Sequence, residues 1–288
     1  MALAEAWLTP RGENGHTVVV FQPLRLDEIP GAMDKMGWGV AAALMRRWFG
    51  NPLYVMTKEE KRRLSASDAR ILSPQYFDDQ IVKMQWALQY PAIQIALNDL
   101  LANAQSAEAK IILKTRLENS GWRAGNKMIL GEYGANARAL DATCQIQREL
   151  FGNETDVIDG LYGALGKAVL KLAVTGVMNK SEFVVEHIGI YIRDTYDFTN
   201  RVWHGVKTPE LLGIWSRERC LSKWEMVGYL NGMNQGWRPS DEHFMGFVPM
   251  FNDDFRRWQK KHGTGGDYIV YSDVKWMVPP AHLRTISL

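Results

Sequence analysis

The chain has 288 residues, 46% hydrophobic and 23% charged, and its 11 tryptophans indicate a substantial core or an interaction surface. Its formal net charge of +2 argues against a protein whose main partner is duplex nucleic acid, because such proteins carry a basic footprint. The two cysteines, Cys144 and Cys220, exclude a disulfide framework or a paired-cysteine metal knuckle, and we expect two buried thiols.

The first 30 residues are predicted to form an irregular lead-in that contains one short strand, HTVVVF. This segment has no basic stretch followed by an apolar run, so we expect no Sec-type signal. The longest apolar stretches are far shorter than the roughly 20 residues that span a bilayer. We therefore expect a protein that is soluble and cytoplasmic in the producing cell, and that a secretion machine must carry if it acts elsewhere.

Helical spacing dominates the next 90 residues. Apolar side chains recur every three to four positions over residues 31–50, and the charged run KEEKRR that follows is predicted to be solvent-exposed. A second helix is predicted to open at Ser73 and to end or kink at Pro91, and AIQIALNDLLANA predicts a third. SAEAKIILKTRLENSG predicts a fourth helix that ends near Gly121. The sequence thus predicts a helical N-terminal region over residues 1–125.

The second half of the chain changes to the alternating pattern of strands. TCQIQREL alternates, and LYGALGKAVLKLAVTG and EFVVEHIGIYIRD, joined by a turn at Asn179-Lys180, predict a long antiparallel hairpin. A helix over residues 161–174 is the alternative. Further strands are predicted at 211–216, 247–251 and 267–278, and helices at 222–233 and 253–263. We predict an α+β fold, in which a helical N-terminal half is followed by an antiparallel sheet or open half-barrel with helices, and residues 126–288 form an α+β catalytic domain.

The densest group of chemically active side chains lies at the end of the returning strand. It contains Asp194, Tyr196, Asp197 and His204. Two close carboxylates can bind a divalent cation, and one of them can act as a general base while a histidine serves as acid or base. If the strand runs through Asp197, then Asp194 and Tyr196 share one face and Asp197 points away, so a bend is needed to bring them together. The alternative is that the acids only terminate a strand and the tyrosine belongs to the core.

The stretch GALGKAVLKLAVTG…FVVEHIGIYIRDTYDF…H, within residues 161–205, resembles the catalytic region of the colicin M family of bacteriocins. That family has an Asp-x-Tyr-Asp motif followed by a His-Arg pair. The match covers Asp194, Tyr196 and Asp197, while His204 is offset by one residue and Gly205 stands where the arginine is expected. The resemblance implies Mg²⁺-assisted cleavage of lipid II at its pyrophosphate, with these three residues and His204 catalytic, and with Asp194 and Asp197 as metal ligands.

Most of the chain also resembles an uncharacterised family of proteobacterial proteins encoded near type VI secretion genes. The stretches IPGAMDKMGWGVAAALMRRWFG, FDDQIVKMQWAL, YIRDTYDF and GGDYIVYSDVKW carry this likeness. It implies an antibacterial effector that a type VI system secretes into the periplasm of a target cell. Such an effector has secretion components, an immunity protein and the lipid-linked peptidoglycan precursor as partners, and no nucleic acid is expected among them.

Two other functions remain open at this stage. The same acids could serve a metal-dependent nuclease toxin, or the chain could be a non-catalytic adaptor or structural protein of the secretion locus. The arginine of the colicin M pattern is unassigned, with Arg201 and Arg217 as the nearby candidates.

Overall fold

The computed structural model describes residues 24–203, 206–234 and 244–288. The predicted strand HTVVVF lies outside these residues. The helices of the described part are α1 (Ile29–Lys35), α2 (Gly39–Gly50), α3 (Lys58–Ala66), α4 (Met84–Ala87), α5 (Pro91–Ala102), α6 (Ala107–Asn119), α7 (Ala137–Thr143), α8 (Gly160–Leu165), α9 (Lys223–Asn234) and α10 (Asn252–His262). None of them combines the length and the hydropathy that crossing a membrane requires.

The strands are β1 (Phe77–Val82), β2 (Met128–Leu130), β3 (Gln145–Phe151), β4 (Ala168–Asn179), β5 (Glu182–Tyr196), β6 (Arg201–Trp203), β7 (Val206–Thr208), β8 (Leu211–Trp215), β9 (Val248–Phe251), β10 (Tyr268–Ser272), β11 (Lys275–Met277) and β12 (Thr285–Ser287). The main sheet has the order β1-β10-β5-β4-β2, with β11 and β12 also pairing with β5 and β3 also pairing with β4. All these pairs are antiparallel except β1 with β10. The predicted α+β class is confirmed.

The β4–β5 hairpin organises this sheet. It turns at Lys180, whose φ of 55° gives the left-handed conformation that a tight turn needs. One edge of β5 pairs with β4 over most of its length, and the other edge pairs in succession with β12, β11 and β10. The predicted hairpin is therefore confirmed, and the alternative helix over 161–174 is limited to α8, which ends at Leu165.

Helices cover both faces of the main sheet. On one face the Tyr268 hydroxyl donates to the Leu44 carbonyl of α2 at 2.8 Å. On the other face α7 lies so close that a Cβ on Gly189 would stand 2.8 Å from Leu140 Cδ1. A side chain at this position of β5 would push α7 off the sheet, which explains the glycine. Both cysteines are buried and unpaired, as predicted.

The predicted helix from Ser73 to Pro91 is wrong. Residues 77–82 form β1, which pairs in parallel with β10, and only Met84–Ala87 is helical before Pro91. A bulge interrupts the β1 register, and there Asp78 Oδ1 accepts the backbone N–H groups of Gln80 and Ile81. Since the carboxylate satisfies these donors, the strand tolerates a polar sequence without the usual alternation.

The other N-terminal predictions are confirmed with adjusted boundaries. The stretch 31–50 forms two helices, α1 and α2, separated at Gly37, which has a φ of 75°. Pro91 begins α5 rather than ending a helix, because the first turn has no need of its missing N–H. Ser106 caps α6 by accepting the N–H of Ala109. The predicted strand 267–278 is divided into β10 and β11.

The two predicted regions, 1–125 and 126–288, contribute to one structure in the described residues. β1 from the first region pairs with β10 from the second. One hydrophobic cluster contains side chains from both, among them Trp48 and Phe255. Whether either region folds by itself stays a prediction.

Candidate functional site

The end of β5 delivers the predicted acids as strand alternation requires. Asp194 is opposite Val270 of β10, and Tyr196 is opposite Tyr268, so both lie on the face that α2 covers. β5 ends at Tyr196, and Asp197 follows it; the described contacts contain no hydrogen bond between the two carboxyl groups. The two carboxyl groups of the predicted site therefore lie in different surroundings.

Tyr196 is part of an aromatic core. Its ring stacks on Tyr268 at a centroid distance of 5.4 Å and meets Phe198 edge-on at 5.8 Å. Phe198 in turn stacks on Phe255 at 3.7 Å and contacts Trp48 at 4.8 Å. Burial, followed by the nearby Asp194 carboxyl, raises the pKa of Tyr196 well above its usual value. The hydroxyl is thus a proton-bearing group beside Asp194, and the ring has a packing role.

Asp197 is held by a lysine that the sequence analysis did not select. Lys61 of α3 places Nζ 2.6 Å from Asp197 Oδ2, and the Asp197 side chain is only 8% exposed. Lys61 belongs to the KEEKRR run that was predicted to be a solvent-exposed face. Thr57 caps α3 and fixes the start of the helix, which sets the phase that turns Lys61 toward β5. The only sequence signal for this contact was a charged residue, Lys61, on the side of α3 that faces the protein interior.

Asp194 holds a proton at neutral pH. The side chain is half-buried, and its withdrawal from water raises its pKa to about 8. The negative charge of Asp197 raises the pKa further, whereas the Thr195 N–H, Lys61 and Arg193 lower it. A carboxyl group with this pKa can donate a proton near pH 7, which an ordinary aspartate cannot do.

The remaining predicted residues are placed only in part. His204 and the side chain of Arg201 lie outside the described residues. Arg217, the other candidate for the missing arginine, forms an ion pair with Glu28, with Nη2 and Oε2 3.1 Å apart. In the described part of the chain, Lys61 forms the ion pair with Asp197, and Lys61 and Arg193 both lower the pKa of Asp194.

The described residues do not fit a magnesium site. No group of three His, Cys, Asp or Glu side chains in this part of the chain is close enough to hold a metal ion. Asp194 favours its protonated form, and Asp197 is occupied by Lys61. Hard cations take several ionised oxygen ligands. We therefore derive no step through Mg²⁺, which stays a prediction.

A second polar cluster, which the sequence analysis missed, lies on the opposite face of the sheet. Asp141 of α7 accepts hydrogen bonds from Lys171 Nζ and from the hydroxyls of Tyr191 and Tyr271, each hydroxyl at 3.0 Å. Arg193 Nε lies 3.4 Å from Asp141 Oδ2. We call these five residues the Asp141 cluster. It gathers one carboxylate, two cations and two phenols at a largely buried position.

Strand register builds the Asp141 cluster. Lys171 of β4 is opposite Tyr191 of β5, and Tyr271 of β10 is opposite Arg193, so four polar side chains share one face over three adjacent strands. Burial alone would raise the pKa of Asp141, but Lys171 and Arg193 outweigh it and hold the pKa below its usual value. Burial lowers the pKa of Lys171. The sequence did contain a signal for this cluster: Tyr191 and Arg193, at odd positions of GIYIRD, place polar groups on one face of a strand in the middle of the sheet.

The profile of a family of unknown function, DUF6402, matches residues 24–286, so the chain belongs to that family. No match was found among the curated proteins or among the solved structures.

Proposed function

We propose that this member of DUF6402 is an antibacterial effector that hydrolyses a phosphodiester or pyrophosphate bond, in the manner of the colicin M family, with lipid II as its substrate. The observation that carries the proposal is the Asp194 carboxyl, which has a pKa of about 8 and lies within electrostatic reach of the Asp197–Lys61 ion pair. An acid and a base in one site need carboxyl groups in different surroundings, and in the described contacts only Asp197 forms the ion pair with Lys61.

The proposed chemistry uses this difference. A water molecule attacks the phosphorus atom, the bond from phosphorus to the prenyl oxygen breaks, and Asp194 gives its proton to that leaving oxygen. An alkoxide is a poor leaving group, so its protonation lowers the barrier. Asp197 accepts the proton of the attacking water, and Lys61 stabilises the carboxylate before the step. Tyr196, which keeps its proton beside Asp194, and His204 are proposed to assist as in the colicin M pattern.

The resemblances described above support the biological setting of the proposal. The effector is made in the producer cytoplasm, secreted by a type VI system and active in the target periplasm. Its helical N-terminal region engages the secretion components, and an immunity protein protects the producer. An activity confined to lipid-linked precursors requires no nucleic acid, which agrees with the net charge of +2.

The test compares expression with and without a periplasmic signal in a sensitive bacterium, together with cleavage of purified lipid II. We expect lysis only from the periplasm and release of the prenol. Asp194→Asn and Asp197→Asn should abolish both, whereas Asp99→Asn, at an exposed position of α5, should not. Lys61→Met should reduce cleavage, and Lys58→Met, at an exposed position of the same helix, is its matched control.

The alternatives are distinguished by the same experiment. Toxicity from the cytoplasm with loss of nucleic acid would identify a nuclease, and absence of toxicity in both compartments would favour the adaptor. Killing by Asp194→Asn at the wild-type level would show that the proposed acid is wrongly assigned.

A further inference from the structure

A groove of about 580 Å³ lies between α6 and the strands β3, β4 and β5. This volume is within the roughly 300–1,000 Å³ of small-molecule sites. Lys171 and Arg193 of the Asp141 cluster line it, together with Arg116 of α6 and Arg148 of β3. Arg193 lines the groove from the face of β5 opposite the aromatic core of Tyr196, and Asp194 and Thr195 line it at the end of the strand.

The groove has an excess of positive charge. Four cationic side chains line it, and the nearby carboxylates are Glu108 and Asp194 of the lining and Asp141, which pairs with Lys171 and Arg193. Counted as fully ionised, these groups leave a formal balance of +1. Uncompensated cations in a concave site raise the local concentration of anions.

The donors of the groove are not exhausted by protein partners. Arg193 Nε is buried and makes no hydrogen bond within the described residues. Lys171 has three N–H donors, of which the described contacts use one, on Asp141. Arg148 is exposed, and its side chain makes no hydrogen bond or ion pair in the described part of the chain. Arg193 Nε faces Asp141 at 3.4 Å, so the donors that remain for a ligand oxygen are those of Lys171 and Arg148 and the other N–H groups of Arg193.

Arg116 holds the architecture of the groove. Its guanidinium donates to the backbone carbonyls of Asp141, Ala142 and Gln145, which ties α6 to the end of α7 and to β3. These contacts keep a positive charge at the groove wall while the side chain stays ordered. Fixed cations of this kind need no reorganisation when an anion enters.

We infer that this groove binds a small molecule through a phosphate or pyrophosphate group, which Arg148, Lys171 and Arg193 hold by charge-assisted hydrogen bonds. Arginine and lysine are suited to this task because phosphate oxygens accept several short N–H bonds at once. The site goes beyond the proposed function, because binding requires neither Asp194 as an acid nor a toxic activity.

Calorimetric titration of the full chain with inorganic pyrophosphate at constant ionic strength tests the inference. We expect saturable binding that Arg148→Gln weakens about tenfold or more, since one charge-assisted bond is lost. Arg284→Gln, an exposed arginine near the far end of β5, is the matched control and should change the affinity less than about twofold.

A second pair of variants keeps the result independent of arginine removal. Ile112→Glu places a negative charge in the groove lining, while Ile111→Glu places it on the exposed side of the same helix. Only the first should weaken pyrophosphate binding by about tenfold or more.

Absence of saturable binding would overturn the inference, as would equal losses in groove and control variants. Binding by a chain that kills in neither compartment would retain this site and remove the proposed function. Toxicity without pyrophosphate binding would retain the proposed function and remove this site.

Discussion

The Asp141→Asn substitution tests the Asp141 cluster most directly. The carboxylate uses Oδ1 for Lys171 and Tyr191 and Oδ2 for Tyr271, with Arg193 Nε 3.4 Å away. Asparagine has almost the same size but offers one acceptor oxygen and no charge. The substitution therefore leaves two neighbouring cations without their counter-ion and one phenol without its acceptor.

The expected cost follows from the burial of these groups. The side chains of Asp141, Lys171 and Arg193 are 9%, 11% and 15% exposed, so water screens them weakly. Removing one partner of a buried ion pair costs about 3–5 kcal/mol. In a chain of this size the loss should lower the thermal midpoint by on the order of 10 °C.

Urea unfolding of the wild type, Asp141→Asn and the exposed control Asp99→Asn measures this effect. Adding Lys171→Met to Asp141→Asn should recover part of the loss, because the unpaired buried cation is removed. The pKa of Asp141 is lowered on folding, so its contribution is present above pH 4 and is lost as the pH falls through the folded pKa. A loss of less than about 1 kcal/mol at pH 7, or no recovery in the double variant, would refute the reasoning.

Three further results are expected. The pKa of Asp194 is about 8 in the folded state and near 3.8 in the unfolded state, so its contribution to stability falls as the pH rises from 4 to 8. Urea midpoints should therefore decrease with pH across this window, and Asp194→Asn should remove that decrease. Tyr196→Phe should keep the free energy of unfolding within about 1 kcal/mol of wild type, because the ring contacts remain, yet lose lipid II cleavage; full cleavage would show that the hydroxyl has no catalytic role. Arg256→Met should cost about 3–5 kcal/mol, because Arg256 binds both oxygens of the fully buried Asp267, whereas Arg257→Met at an exposed position should cost under about 1 kcal/mol; equal losses would contradict the account.

Local sequence patterns were sufficient to predict a helix or strand wherever that element buries one face along its own length. The alternation of residues 182–194 predicted most of β5, and the stretch SAEAKIILKTRLENSG predicted α6. The pattern failed for β1, because its partner β10 lies nearly 200 residues away and its polar residues satisfy the backbone by a local contact. Such a strand is stabilised by its neighbour rather than by its own periodicity.

The sequence by itself determined that Asp194 and Tyr196 share one face of a strand, because side-chain direction alternates along the backbone regardless of what surrounds it. Only the tertiary structure decided what each group meets. Lys61 reaches Asp197 across 136 positions of the chain, and Tyr271 reaches Asp141 across 130. Burial and these distant charges determine the protonation state of Asp194 and the excess of positive charge in the groove. Both depend on how helices pack on the sheet, and no short-range pattern encodes that packing.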